Sequence, residues 1–220
     1  MISVAIDGPS GAGKSSISKT VAKKLGFIHV DTGALYRALA YTFIKNGINL
    51  GDEISIENLL KTTNVKIKHI NGVQSVFVND ENITGSIRTE EVSMGASNIS
   101  KMPIIRSFLL GLQRQIAAEN NVIMDGRDIG TVVLPNADVK IFLTASPQKR
   151  AERRYKELLE KNENIVYNDI IEDIIKRDYQ DEHREIAPLK PAEDSVLVDT
   201  SDLNFDESVQ KITEVIEAKI

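Results

Sequence analysis

Five short apolar, β-branched runs punctuate the chain, at 2–6, 27–30, 121–125, 139–143 and 195–198. They read as strands buried on both faces. Between them apolar residues recur at helical spacing. Ile17, Val21 and Leu25 mark a helix over 14–25, stopped by Gly26. Pro103 opens another, with Ile104, Ile105, Phe108, Leu109, Leu112 and Ile116 as its apolar stripe. Further helices are predicted at 34–46, around 56–60, from Thr89, over 148–161, from near Asp169 and over 206–219. Strands alternating with helices predict an α/β fold, a five-stranded parallel sheet with right-handed crossovers and helices on both faces. One stretch breaks the pattern. Segments 65–68 and 75–79 alternate with period two around Asn71-Gly72, which predicts an antiparallel hairpin with a short third strand near Ile83. This change of strand type marks 62–88 as an insert.

The first βα junction carries the strongest local chemistry. Gly8-Pro9-Ser10-Gly11-Ala12-Gly13-Lys14-Ser15 fits the phosphate-binding loop G-x-x-x-x-G-K-[ST], between a strand and a helix as that motif requires. Its amides turn inward around an anion, and the helix N-terminus adds unpaired donors. Lys14 is expected to reach the β- and γ-phosphates of a nucleoside triphosphate, and the Ser15 hydroxyl to ligate Mg²⁺, with Ser16 following in the same turn.

Composition narrows the class. At 220 residues with 41% apolar content, one domain, or one domain with a small insert or lid, is expected. A net charge of −5 argues against broad nucleic-acid binding. Cysteine is absent, which excludes disulfides and thiolate metal sites and suits a reducing compartment. No apolar run reaches membrane-spanning length and the N-terminus reads as a core strand, so a cytoplasmic protein without membrane partners is expected.

Other candidates stand at strand ends and helix starts. Asp31-Thr32-Gly33 follows the second strand, where open α/β sheets bind ligands. Arg37 and Arg106 sit in first helical turns, where a cation gains nothing from the dipole unless an anion is near. Asp125 ends the third buried strand and is a candidate to hold Mg²⁺ through water, with Arg127 and Asp128 beside it. Arg150, Arg153 and Arg154 share i, i+3, i+4 spacing, either a cationic cluster for a triphosphate or a solvated face. Arg177, Asp181 and Arg184 continue the stripe of Ile170 and Ile174 into polar territory, although an internal Arg177–Asp181 pair would explain part of it. His29, His69 and His183 have no metal spacing and receive no role.

These parts suit phosphoryl transfer. A hydroxyl acceptor benefits from a carboxylate base; a phosphate acceptor is already anionic and needs cations instead. Arg37, Arg127, Arg177 and Arg184 match the second need and favour a nucleoside monophosphate. No N-K-x-D guanine-reading motif is present. A kinase for a hydroxylated metabolite, with Asp31 or Asp128 as base, and a nucleotide-binding switch stay open as rivals.

The assembled motifs resemble bacterial cytidylate kinases, of the P-loop nucleoside monophosphate kinase family. They are Ile6 to Ser15, Asp31-Thr32-Gly33-Ala34-Leu35-Tyr36-Arg37, Asp125-Gly126-Arg127-Asp128-Ile129-Gly130-Thr131, the run Arg177-Asp178 to Asp181 to Arg184, and Ala187-Pro188-Leu189. Thr32 stands where Ser is also expected, and keeps the hydroxyl. The resemblance covers essentially the whole chain. It implies γ-phosphoryl transfer from ATP to CMP or dCMP with Mg²⁺, by a monomer. It implies a core at 1–61, 89–146 and 185–220, the insert at 62–88, and a helical lid with flanking helices at 147–184. On this resemblance Lys14, Arg127, Arg153 and Arg184 are catalytic, while the loop with Arg150 and Arg154 holds ATP. Which lid arginine meets the transferring phosphoryl stays open. Tyr36, Arg37, Arg127 and Arg184 line the monophosphate site, and Ser97, Arg106 and Asp128 read cytosine. Asp31, Thr32, Arg177 and Asp181 complete the acceptor set.

Overall fold

The structure is a computed structural model that describes residues 1–70, 72–160 and 166–220. Asn71 of the expected hairpin turn, the end of the expected 148–161 helix and residues 161–165 of the expected lid lie outside the described residues. The chain opens with β1 (Ser3–Asp7), α1 (Lys14–Leu25), β2 (Ile28–Asp31), α2 (Thr32–Lys45) and α3 (Glu53–Thr62). There follow β3 (Val65–Ile70), β4 (Val73–Val78), β5 (Glu81–Asn82), α4 (Glu90–Ile99) and α5 (Pro103–Glu119). It ends with β6 (Val122–Gly126), a π-helical turn (Ile129–Val133), β7 (Val139–Thr144), α6 (Pro147–Glu160), α7 (Tyr167–His183), β8 (Val196–Asp199) and α8 (Phe205–Glu217).

Two compact units emerge. The first comprises 1–29 and 121–220. The five-stranded parallel sheet runs in the order β2-β6-β1-β7-β8. Period two sorts its strands by face. Val4, Ile6, Ile123, Val139, Ile141, Leu143 and Val198 join Ile17, Val21, Ile212 and Ile216 of α1 and α8 in one buried core. Asp7 and Lys140 fall on the opposite parity, beside Gly130 of the π-helical turn. Asn204 and Glu207 form a reciprocal capping box that starts α8.

The second unit is 30–120. Its antiparallel sheet, β3-β4-β5, shares one core with the helices before and after it, through Val65, Val76, Val78, Leu35, Leu39, Ile56, Ile99 and Leu109. The hairpin expected at 62–88 is thus packed within a larger body. Caps explain where its helices begin. Asp31 accepts the Ala34 N–H at 3.1 Å, so α2 starts at Thr32, two residues before the apolar pattern. Asp52 does the same for Ser55 at 3.1 Å and extends α3 beyond the expected 56–60.

Candidate active site

In the first unit, β1 and β6 end side by side, with Ile6 opposite Asp125 and Asp7 opposite Gly126. The phosphate loop leaves β1 through Gly8, whose φ of 149° and close approach to β7 exclude a side chain. A Cβ there would overlap the Leu143 carbonyl oxygen. Lys14 opens α1 and reaches back across the loop, its Nζ donating to the Pro9 carbonyl at 2.6 Å. Burial pushes its ammonium down to about 7; Arg127 pushes the same way, and Asp125, Asp7 and Asp181 oppose them.

Ser15 Oγ donates to Asp125 Oδ2 at 2.7 Å, which leaves the hydroxyl lone pairs open to a cation. The other carboxylate oxygen of Asp125 meets His29 Nε2 at 2.6 Å. Burial alone would raise the Asp125 pKa. Hydrogen bonds from His29 and Ser15, with the charge of Lys14, overcome that and hold it below the usual carboxylate range. Among the described residues no three His, Asp or Glu side chains group to hold a metal by themselves. Mg²⁺ does not need such a cage, because it binds through one or two side chains together with substrate phosphates. Ser15 and Asp125 fit that role.

Neither Asp7 nor His29 carries a role in the sequence reading, yet His29 bonds Asp125 and Asp7 bonds the backbone just after Asp128. Asp7 Oδ1 and Oδ2 accept the Ile129 and Gly130 N–H groups, each at 2.7 Å. They pin the start of the π-helical turn directly after Arg127 and Asp128. Burial pushes the Asp7 carboxyl up to about 6 despite these two bonds, and the charge of Asp128 adds to the rise.

Arginine–aspartate pairs organise the rest of the unit. Arg127 Nε donates to Asp181 Oδ2 at 2.8 Å. Arg184 lies 3.4 Å from Asp128 Oδ1, and both side chains are buried. Arg184 Nε also donates at 2.6 Å to the carbonyl of Ala187, a non-glycine residue held at φ 51°. The internal Arg177–Asp181 pair does not form, because Asp181 turns to Arg127. Among the described residues the Arg177 side chain has no ion pair.

The three α6 arginines do not converge on one cluster. Arg150 is buried and bidentate on Asp178, at 3.0 and 2.5 Å. It also donates to the carbonyls of Ala145 at 2.8 Å and Ser10 at 3.0 Å, bracing the phosphate loop from its backbone side. Arg153 donates to the Thr200 carbonyl at 2.5 Å, and Arg154 pairs with Glu157 at the surface. Helical spacing put them on one side of α6; their packing partners then drew them apart.

In the second unit Arg37 folds back on Asp31, with Nη2 donating to Oδ2 at 2.7 Å. Gly33 leaves the room, since a Cβ there would stand 3.1 Å from both Arg37 Nη1 and Asp31 Oδ1. Arg37 Nε is buried with no hydrogen-bond partner among the described residues. Gln74 of β4, unremarked in the sequence, clamps Asp31. It accepts the Asp31 N–H at 2.8 Å and donates to its carbonyl at 3.2 Å. Thr32 is buried and Tyr36 half-buried in α2. Arg106 in α5 donates to the Ser100 carbonyl at 3.3 Å, and the Ser100 hydroxyl donates to the main-chain carbonyl of Ser97 in α4. A pocket of about 310 Å³ lined by residues 61–65 with Phe108 and Leu112 includes none of these residues.

The sequence model of the family described as "Cytidylate kinase" matches residues 4–218. A cytidylate kinase of Carboxydothermus hydrogenoformans is 48% identical over 98% of this chain and 97% of its own length. That of Bacillus subtilis is 44% identical over 99% and 97%. A shikimate kinase structure from Bacteroides thetaiotaomicron covers 98% of both chains with a TM-score of 0.50 at 14% identity, a likeness of fold alone. No helix among the described residues is long and apolar enough to cross a membrane. The phosphate loop, the parallel sheet that carries it and this match along nearly the whole length place the chain in the cytidylate kinase family, among the ATP-dependent nucleoside monophosphate kinases.

Proposed function

We propose that this chain moves the γ-phosphoryl group of ATP to CMP or dCMP, giving CDP or dCDP and ADP, and that arginines rather than a base prepare the acceptor. One observation carries the second part. Each acceptor-side carboxylate is committed to a guanidinium: Asp31 to Arg37, Asp128 to Arg184 and Asp181 to Arg127. A carboxylate held by arginine is a poor proton acceptor for a hydroxyl, whereas an oriented guanidinium suits an anionic phosphate. This favours a monophosphate acceptor over a hydroxylated metabolite.

The division of labour follows. The loop amides and Lys14 bind the ATP phosphates. Ser15 and Asp125 would hold Mg²⁺, which supplies charge neutralisation at the β- and γ-phosphates. Arg37, Arg127 and Arg184 bind the acceptor phosphate, and Arg177 adds a cation. Asp128, Arg106 and Ser97 read cytosine, whose amino group needs an acceptor and whose ring needs donors. Tyr36 and Thr32 complete the acceptor pocket. From the 147–184 region, Arg153 would serve the transfer and Arg154 the ATP phosphates, as the family resemblance implies, once each leaves its present partner. The family resemblance implies a monomer, and the absence of cysteine suits the reducing cytoplasm.

Phosphorus NMR of Mg-ATP with CMP or dCMP tests the reading. Loss of the CMP or dCMP phosphomonoester resonance in step with the ATP γ-resonance, without release of inorganic phosphate, supports it. Phosphorylation of shikimate or a sugar, with CMP untouched, would overturn it.

A further inference from the structure

Among the described residues, His29 is the imidazole seen against Asp125 and Ser15. It ends the first-unit part of β2, and its Nε2 lies 2.6 Å from Asp125 Oδ1. Oδ2 of the same carboxylate accepts the Ser15 hydroxyl at 2.7 Å. His29, Asp125 and Ser15 therefore form one continuous line from β2 across β6 to the first turn of α1. Little of the pair is open to solvent, with side-chain exposures of 11% for His29 and 4% for Asp125.

The chemistry of the line fixes its protons. A carboxylate that receives Ser15 on one oxygen offers an acceptor on the other, so Nε2 carries the hydrogen and donates. A carboxylate bonded on one oxygen can still turn about its terminal torsion, which is broad and roughly two-fold. Bonded on both, it is held. Ser15 then keeps its hydrogen on Asp125 and its lone pairs turned away from it. Groups that orient a metal's ligands in this manner tune affinity without touching the ion.

We propose that His29 is a positioning residue for the divalent cation, locking Asp125 so that the Asp125–Ser15 pair presents a preset surface to it. This rests on the reading that Ser15 and Asp125 serve Mg²⁺. No proton transfer through His29 is involved; its part is to donate one fixed hydrogen bond.

The test uses the full chain with a non-hydrolysable ATP analogue and Mn²⁺ as the probe, free Mn²⁺ being read by electron paramagnetic resonance. Mn²⁺ affinity in His29→Leu is expected to fall about tenfold, with analogue affinity in EDTA held within about twofold. His29→Gln, which keeps a donor at similar reach, is expected to restore most of the loss; His29→Asn, one methylene shorter, is expected to behave like the leucine variant. Circular dichroism checks that each variant folds, and the Gln–Asn contrast decides the matter if the leucine variant does not. Wild-type Mn²⁺ affinity in His29→Leu, alongside weakened binding in Asp125→Asn, would overturn the positioning role and leave Asp125 in place. Wild-type affinity in Asp125→Asn would overturn the reading of Asp125 and the proposal together. Equal weakening in the Gln and Asn variants would also count against His29.

Discussion

Asp7 holds the backbone of Gly130. Its Oδ2 accepts the Gly130 N–H at 2.7 Å, across 123 positions of sequence, while Oδ1 takes Ile129 at the same distance. The end of β1, from which the phosphate loop departs, is thereby tied to the segment that carries Arg127 and Asp128.

That tie has a pH signature. Burial pushes the Asp7 carboxyl up to about 6. Between about pH 4 and pH 6 the folded chain keeps a proton that the unfolded chain releases, so this group's contribution to stability falls as pH rises through that window. Wild type relative to Asp7→Asn should therefore lose up to about 3 kcal/mol from pH 4 to pH 7. Urea unfolding of both proteins at the two pH values measures it. A constant difference would mean that Asp7 is ionised throughout.

Lys14 gives a second pH effect, of opposite origin. With its ammonium pushed down to about 7, the free chain loses this charge above neutrality. Nucleotide phosphates draw the proton back. ATP binding in EDTA is thus expected to weaken by up to about tenfold per pH unit above 7, with uptake of close to one proton at pH 8. Calorimetry in two buffers of different ionisation enthalpy reads the uptake. Its absence would show Lys14 charged before binding.

Arg150 is expected to act as a brace. Its buried, bidentate contact with Asp178 leaves that carboxylate uncompensated if the arginine is removed. Arg150→Met should cost about 3–5 kcal/mol of stability. Adding Asp178→Asn should cost less than the sum of the two changes. Unchanged thermal stability with a raised KM for ATP would instead make Arg150 a nucleotide ligand.

Asp181 holds Arg127, proposed above as a ligand of the acceptor phosphate. Asp181→Asn is expected to lower kcat/KM for CMP about 10- to 100-fold, the worth of one charge-assisted hydrogen bond. The KM for ATP should move little. Steady-state kinetics with each substrate varied separates the two. Equal effects on both would place Asp181 in general folding.

Asp128 has two candidate tasks, anchoring Arg184 and reading cytosine. Asp128→Asn should lose more activity with CMP than with UMP, because only cytosine offers the amino hydrogen. Matching losses with both would leave it as the Arg184 anchor alone.

What the sequence disclosed follows from the range of each interaction. The phosphate loop is a contiguous motif between two periodic elements, so Gly8 to Ser15 could be read directly, as could the hairpin from its period-two segments. Asp7, His29, Gln74 and Asp178 could not. His29 meets Asp125 across 96 positions and Arg150 meets Asp178 across 28, encounters that depend on strand order and helix packing. The spacing of Arg150, Arg153 and Arg154 gave their side of α6 correctly. It could not say that one is buried under the phosphate loop, one sits against Thr200 and one lies in solvent. The early start of α2 was missed because Thr32 and Gly33 are poor helix formers, and the Asp31 cap outweighed them.

The most direct measurement is ADP release from Mg-ATP by the wild-type chain, with CMP, dCMP, UMP, AMP, GMP and shikimate supplied in turn. Strong release with CMP and dCMP, weak release with UMP and none above background with shikimate is the expected result. Release with shikimate alone, or ATP binding with no acceptor-dependent release at all, would contradict an arginine-prepared phosphate acceptor.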